Sequence, residues 1–93
     1  MAEITAYSTA AIHDLELLVQ DPKKSVYKTV LNMVRVLDQK LDRSQKEFIT
    51  SDSYWEDAQE NCKKLIYMMS GLSQTYGSSE FESSVISNLQ KLY

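Results

Sequence analysis

Two glycines and one proline in 93 residues leave little material for tight hairpins or a sheet of many short strands. A single cysteine excludes an intramolecular disulfide and fits a reducing compartment. One histidine and one cysteine cannot build a tetrahedral zinc site without several carboxylates. No glycine-rich phosphate loop is present. The longest aliphatic run is Leu17-Leu18-Val19, far short of the ~20 residues a membrane span needs. Met1-Ala-Glu lacks the basic start of a secretory signal, and no apolar core of one follows. These absences predict a cytosolic protein without a membrane span, one that could still work beside a membrane through a partner. The net charge of −3 has the wrong sign for a general nucleic-acid binder and is too mild for a DNA mimic, so no nucleic-acid partner is expected.

What remains is ordinary globular material, 43% apolar and 25% charged, enough for one domain over residues 1–93. A chain of this size buries only about 60–65% of its unfolded surface, so every segment must share the core. The most apolar stretch is Pro22–Leu41. On a helix it shows two neighbouring rows, Val26, Val30, Met33, Leu37 and Tyr27, Leu31, Val34, Leu41. A face that wide calls for packing partners on two sides.

Three weaker amphipathic segments supply the partners. The first runs from about Glu3 to Gln20, with Ile4, Tyr7, Ala11, Ile12, Leu15, Leu18 and Val19 at steps of three and four and Leu17 off the stripe. Asp21-Pro22 then marks a boundary, Asp21 as N-cap and Pro22 as the first residue of a helix reaching about Glu47. A loop follows, with Phe48 and Ile49 expected back on the core. Ser53 and Glu56 have capping-box spacing before the third segment. There Trp55, Ala58, Cys62, Leu65, Met69, Leu72 and Tyr76 alternate steps of three and four, a seam of coiled-coil type. Gly71 weakens the helix by about 1 kcal/mol relative to Ala, and Gly77 stands where a left-handed C-terminal cap belongs. Ser79 and Glu82 repeat the capping-box spacing. Phe81, Val85, Ile86, Leu89, Leu92 and Tyr93 give the fourth apolar face. Four helices with short connections predict an all-α, antiparallel up-down four-helix bundle.

Charge is uneven along the chain. Residues 1–20 carry −3, residues 21–50 carry +3, and the remainder is acidic. A basic second segment between acidic neighbours is expected to provide complementary packing faces rather than a ligand site.

Little here points to chemistry. Cys62 is a seam position and is expected to be a small buried hydrophobe. His13 borders the first stripe, at the surface or half-buried. A Cys62–His13 nucleophile pair would need an orienting third group and an oxyanion site, and the sequence supplies neither. Glu56, Asp57 and Glu60 cluster, but without the Glu-x-x-His motif of a di-metal bundle. No catalytic residue, metal or cofactor is expected. The compositional excess is aromatic: six tyrosines, with Tyr54, Tyr67, Tyr76 and Tyr93 in the C-terminal half beside Trp55, Met68 and Phe81. Tyr67 and Met68 lie off the seam. They either complete the packing of the fourth helix or form a protein-binding patch, and exposure of Tyr67 distinguishes the two.

Three stretches resemble the immunity proteins of pediocin-like (class IIa) bacteriocins, of the enterocin A type. Asp21-Pro22-Lys23 opens the second helix in a similar setting. Val30-Leu31-Asn32-Met33-Val34-Arg35-Val36-Leu37-Asp38-Gln39-Lys40-Leu41 looks like their long second helix. Ile86-Ser87-Asn88-Leu89-Gln90-Lys91-Leu92 looks like their short fourth helix. The resemblance implies a non-catalytic self-protection protein, acting from the cytosol on a complex of bacteriocin with the membrane-embedded mannose phosphotransferase. Specificity would then lie in the C-terminal half, with Tyr67, Met68, Tyr76, Phe81 and Tyr93 as the partner-binding residues. The chain stops at Tyr93, short of the C-terminal tail that many members carry and that is linked to bacteriocin recognition. The competing expectation is a small helical adaptor or regulator binding one host or phage protein.

Overall fold

Antiparallel helices α1 (Ile4–Leu18), α2 (Tyr27–Glu47), α3 (Asp52–Tyr76) and α4 (Glu80–Leu92) pack in a ring, each against the next, with α4 closing on α1. This computed structural model describes the backbone of residues 4–47, 52–77 and 79–92, and the side chains of residues 6–42, 56–77 and 79–92. The expectations for Phe48, Ile49, Trp55 and Tyr93 lie outside those side chains. The molecule measures 40 × 20 × 19 Å. At 1.5 Å per residue the 25 residues of α3 span about 37 Å, so its axis runs the length of the bundle. Among the described residues no helix is long and apolar enough to cross a membrane.

The core is one cluster. Ala11, Leu15 and Leu18 come from α1, and Tyr27, Val30, Leu31, Val34, Leu37 and Leu41 from α2. Ala58, Cys62, Leu65 and Met69 come from α3, and Val85 and Leu89 from α4. Leu17 is exposed, as its place off the stripe implied. Ser8 is fully buried near the start of α1, whereas its neighbour Tyr7 is not. Its hydroxyl donates to the Asp38 carboxylate on α2, which satisfies a polar group in a core position. Tyr7 is half-buried and carries the Lys91 ammonium 5.4 Å from its ring centroid.

Helix α2 begins later than Pro22. Asp21 does cap, accepting from the Lys23 amide at 2.9 Å, but Pro22–Lys24 form a 3₁₀ turn and the α-helix starts at Tyr27. The bonds from the Lys24 amide to the Asp21 carbonyl and from the Lys28 amide to the Ser25 carbonyl each span three residues. A 3₁₀ turn advances about 120° per residue rather than 100°. The phase set by α2 is therefore lost before Tyr27, and Val26, expected in the core, turns outward at 37% exposure. Of the two rows, the second is buried throughout; in the first, Val30 and Leu37 are buried and Met33 half-buried. The two neighbours that the wide apolar face of α2 calls for are α1 and α3, with α4 across the diagonal.

The seam of α3 holds through Ala58, Cys62, Leu65 and Met69 and then drifts. Ser73 is buried, Leu72 half-buried and Tyr76 exposed at 44%. A straight helix turns every 3.6 residues and slips about 20° per heptad against a 3.5-residue repeat, which moves the inward position from 72 to 73. The helix starts at Asp52, so Ser53 lies within its first turn rather than ahead of it. It runs through Gly71 without a break and ends where Gly77 adopts φ 106° and donates its amide to the Ser73 carbonyl at 3.0 Å.

In α4 the inward face is Glu82, Val85 and Leu89, and Phe81 is displaced from it, 41% exposed. The acidic first and basic second segments do meet, through Glu16 and Arg35 at 3.6 Å on the surface. Such an exposed pair contributes under about 1 kcal/mol.

Candidate protein-docking groove

An open groove of about 520 Å³ lies between α2 and α3 at one end of the bundle. Its α2 wall is Val26, Thr29 and Val30; its α3 wall is Tyr67, Met68, Gly71, Leu72 and Thr75. None of these is charged. The opening has two local causes. The 3₁₀ turn leaves Val26 facing outward, and Gly71 presents no side chain where a Cβ would meet nothing within 4 Å. A second hollow of about 340 Å³ lies on the other flank of α3, lined by Lys63, Ile66, Tyr67 and Gln90. Tyr67 is the ridge between the two hollows and is 69% exposed.

The expected binding residues divide. Tyr67 and Met68 come together on the groove, Met68 half-buried against the core and Tyr67 outermost. Tyr76 does not join them. Nine residues along a helix is two and a half turns, so Tyr76 points the opposite way from Tyr67. Its ring meets Tyr27 edge-on, with centroids 6.4 Å apart and planes at 66°. Phe81, on α4, does not line the groove, and Tyr93 is outside the described residues. Val26, Thr29 and Gly71, absent from the expected set, belong to it. A signal for them existed: no residue from Leu65 to Ser79 is charged, and Gly71 sits in the middle of that run.

Above the groove, at the same end of the bundle, lies a buried polar cluster that the apolar patterning could not show. Glu82 has no solvent exposure. Lys24 donates to both of its carboxylate oxygens, at 3.0 and 3.2 Å, Tyr27 donates its hydroxyl at 3.3 Å, and Ser79 donates its hydroxyl to Oε1. The expected capping box is thus redirected, with the Glu82 side chain turned into the bundle to take Lys24 and Tyr27. Burial pushes the Glu82 carboxyl up. The hydrogen bonds from Ser79 and Lys24, the Lys24 charge and the Tyr27 hydroxyl outweigh that, holding it below the ordinary carboxylate range. Burial first, then the charge and hydrogen bond of Glu82, push the Tyr27 hydroxyl up to about 12. The cluster fastens the Pro22–Lys24 turn to the start of α4 and so fixes where Val26 stands.

Cys62 is buried and donates its thiol to the Leu89 carbonyl at 3.0 Å; burial pushes the thiol up to about 11. His13 is exposed on α1. Among the described residues no three His, Cys, Asp or Glu side chains gather as a metal site requires. Glu56 and Glu60 line a shallow hollow with Lys63 instead. Comparison with family models, curated proteins and solved structures finds no match for the chain.

Proposed function

We propose that this chain is a bacteriocin immunity protein of the pediocin-like class, a non-catalytic self-protection factor. It acts from the cytosol on a complex of bacteriocin and its membrane receptor, the mannose phosphotransferase. The observation that carries a binding role is Tyr67. A tyrosine 69% exposed on the rim of an uncharged groove is a surface aromatic that the fold does not need for packing. The antiparallel four-helix bundle and the three stretches that resemble the family support the choice of partner. In this reading the working surface is the α2/α3 groove with Tyr67 and Met68, while Tyr76 supports the bundle end.

Expression in a sensitive lactic acid bacterium, challenged with a panel of pediocin-like peptides, tests the reading. Survival against at least one peptide is expected, and uniform killing across the panel ends it. The groove equally favours a second reading, a small helical adaptor that binds one host or phage protein. Recovery of a soluble, non-membrane partner whose binding depends on Tyr67 supports that reading over the first.

A further inference from the structure

We propose that the start of α2 has two states and that the charge on Glu82 selects between them. Ionised Glu82 holds the segment from Pro22 to Val26 in its 3₁₀ form; protonated Glu82 lets it join α2 as a first α-turn, which carries Val26 inward and narrows the α2/α3 groove.

The sequence supports either state. Asp21 and Pro22 suit the N-cap and first residue of an α-helix, and Asp21 already caps by accepting from the Lys23 amide. Lys23 and Lys24 oppose that start, because cations in a first turn face the positive end of the helix dipole. Signals of opposite sign in so short a segment leave the decision to a contact from outside it. Glu82, 58 residues beyond Lys24, is that contact.

Geometry explains how a carboxylate on α4 reads the state of the turn. Side chains three apart eclipse in a 3₁₀ turn. Lys24 and Tyr27 therefore stand in line, and both reach Glu82, Lys24 at 3.0 and 3.2 Å and Tyr27 at 3.3 Å. On an α-helix they would stand about 60° apart, and Lys24 would leave the carboxylate that Tyr27 still meets. Val26 lies between the two in the chain. In the same α-phase it comes within about 40° of the fully buried Val30, instead of facing outward at 37% exposure. One rotation thus breaks the ion pair and moves the α2 wall of the groove.

Protonation releases Lys24 without unfolding the bundle. Neutral Glu82 no longer carries the charge that burial penalises, and it keeps the Ser79 and Tyr27 hydroxyls as partners. The Lys24 side chain is 18% exposed, so its ammonium turns to water. Lys24 faces Glu82 from the turn, Tyr27 from α2 and Ser79 from the residue before α4. Tyr76 of α3 acts on it through the Tyr27 ring, and among the described residues α1 contributes no titratable group. These partners hold the carboxyl below the ordinary range, so the conversion comes as pH falls below about 4.3.

Backbone chemical shifts of the isotope-labelled full chain test this. At pH 7 Glu82→Gln should give Lys23, Lys24, Ser25 and Val26 the Cα shifts of an α-helix. Lys24→Met/Glu82→Gln, which removes both charges of the pair, should do the same. Val26 methyl groups should gain contacts with Leu72 across the groove in both variants, while the Leu41 and Ala58 signals, towards the far end of the bundle, stay in place. The wild type should keep turn shifts at pH 7 and move to the variants' values with one midpoint below about pH 4.3. Wild-type shifts at Val26 in either folded variant overturn the proposal, as does an acid titration of Val26 that persists in Glu82→Gln. Loss of folded signals in both variants also overturns it, since the charge would then be a condition of the fold rather than a selector of its state. Survival under a bacteriocin bears on the immunity reading alone and alters none of these outcomes.

Discussion

Replacing Lys24 by Met probes the least expected part of the structure. The substitution keeps the length of the side chain and removes its charge, leaving the Glu82 carboxylate without exposure and, among the described residues, with the Ser79 and Tyr27 hydroxyls as its donors. Breaking a buried ion pair from one side costs about 3–5 kcal/mol. Here the Lys24 side chain keeps 18% of its exposure, so water reaches the vacated position and the cost falls to about 2–3 kcal/mol. In a domain of this size that lowers Tm by about 10–20 °C. The pH dependence carries a sign. In the wild type the folded Glu82 carboxyl lies below its unfolded value. Its contribution is therefore fully present above the unfolded pKa of about 4.3 and is lost as pH falls through the lower, folded value. Without Lys24, burial dominates and raises the folded value above the unfolded one. The variant's deficit should then shrink between pH 7 and pH 5, where the wild type changes little through this group. Urea denaturation followed by far-UV circular dichroism at both pH values measures this. Adding Glu82→Gln to Lys24→Met removes the stranded charge and should recover part of the loss. A deficit below about 0.5 kcal/mol, the same at both pH values and unrelieved by Glu82→Gln, would refute the account of this cluster.

The two glycines should respond in opposite directions to alanine. Gly71→Ala, mid-helix with open space around it, should stabilise by about 0.5–1 kcal/mol; Gly77→Ala, at φ 106°, should destabilise by about 1 kcal/mol, both read from thermal melts. Leu65→Ala, 1% exposed in the α3 seam, should cost about 2–5 kcal/mol in denaturant titration, and a near-zero change would mean the seam register is wrong. The Cys62 thiol should react with a thiol reagent at pH 8 only as the bundle opens, so its rate should rise with urea; full reactivity in native buffer contradicts its burial.

The helices and most of the core were legible because apolar spacing reports helical phase directly. The α3 seam from Ala58 to Met69, the Gly77 cap and the exposure of Leu17 follow from spacing and residue type alone. Where phase is carried too far, the reading fails. Extending a 3.5-residue repeat past Met69 assigns Tyr76 to the core in place of Ser73, and starting α2 at Pro22 ignores that a 3₁₀ turn rotates Val26 outward. Ser8 and Glu82 were hidden for a different reason. A hydrophobicity pattern scores them as surface, and only their partners on other helices, Asp38 for one and Lys24 and Tyr27 for the other, make burial tolerable. The candidate site was half visible. Tyr67 and Met68 stood off the seam, but the opposite wall required knowing which helix lies beside α3.

Colony survival of a sensitive lactic acid bacterium under a pediocin-like peptide, compared between wild-type chain and Gly71→Trp at equal protein levels, bears most directly on the proposal that the α2/α3 groove is the working surface of an immunity protein. The wild type should protect and Gly71→Trp should not, although its thermal stability is equal or higher. Equal survival with both chains, or with neither, contradicts it.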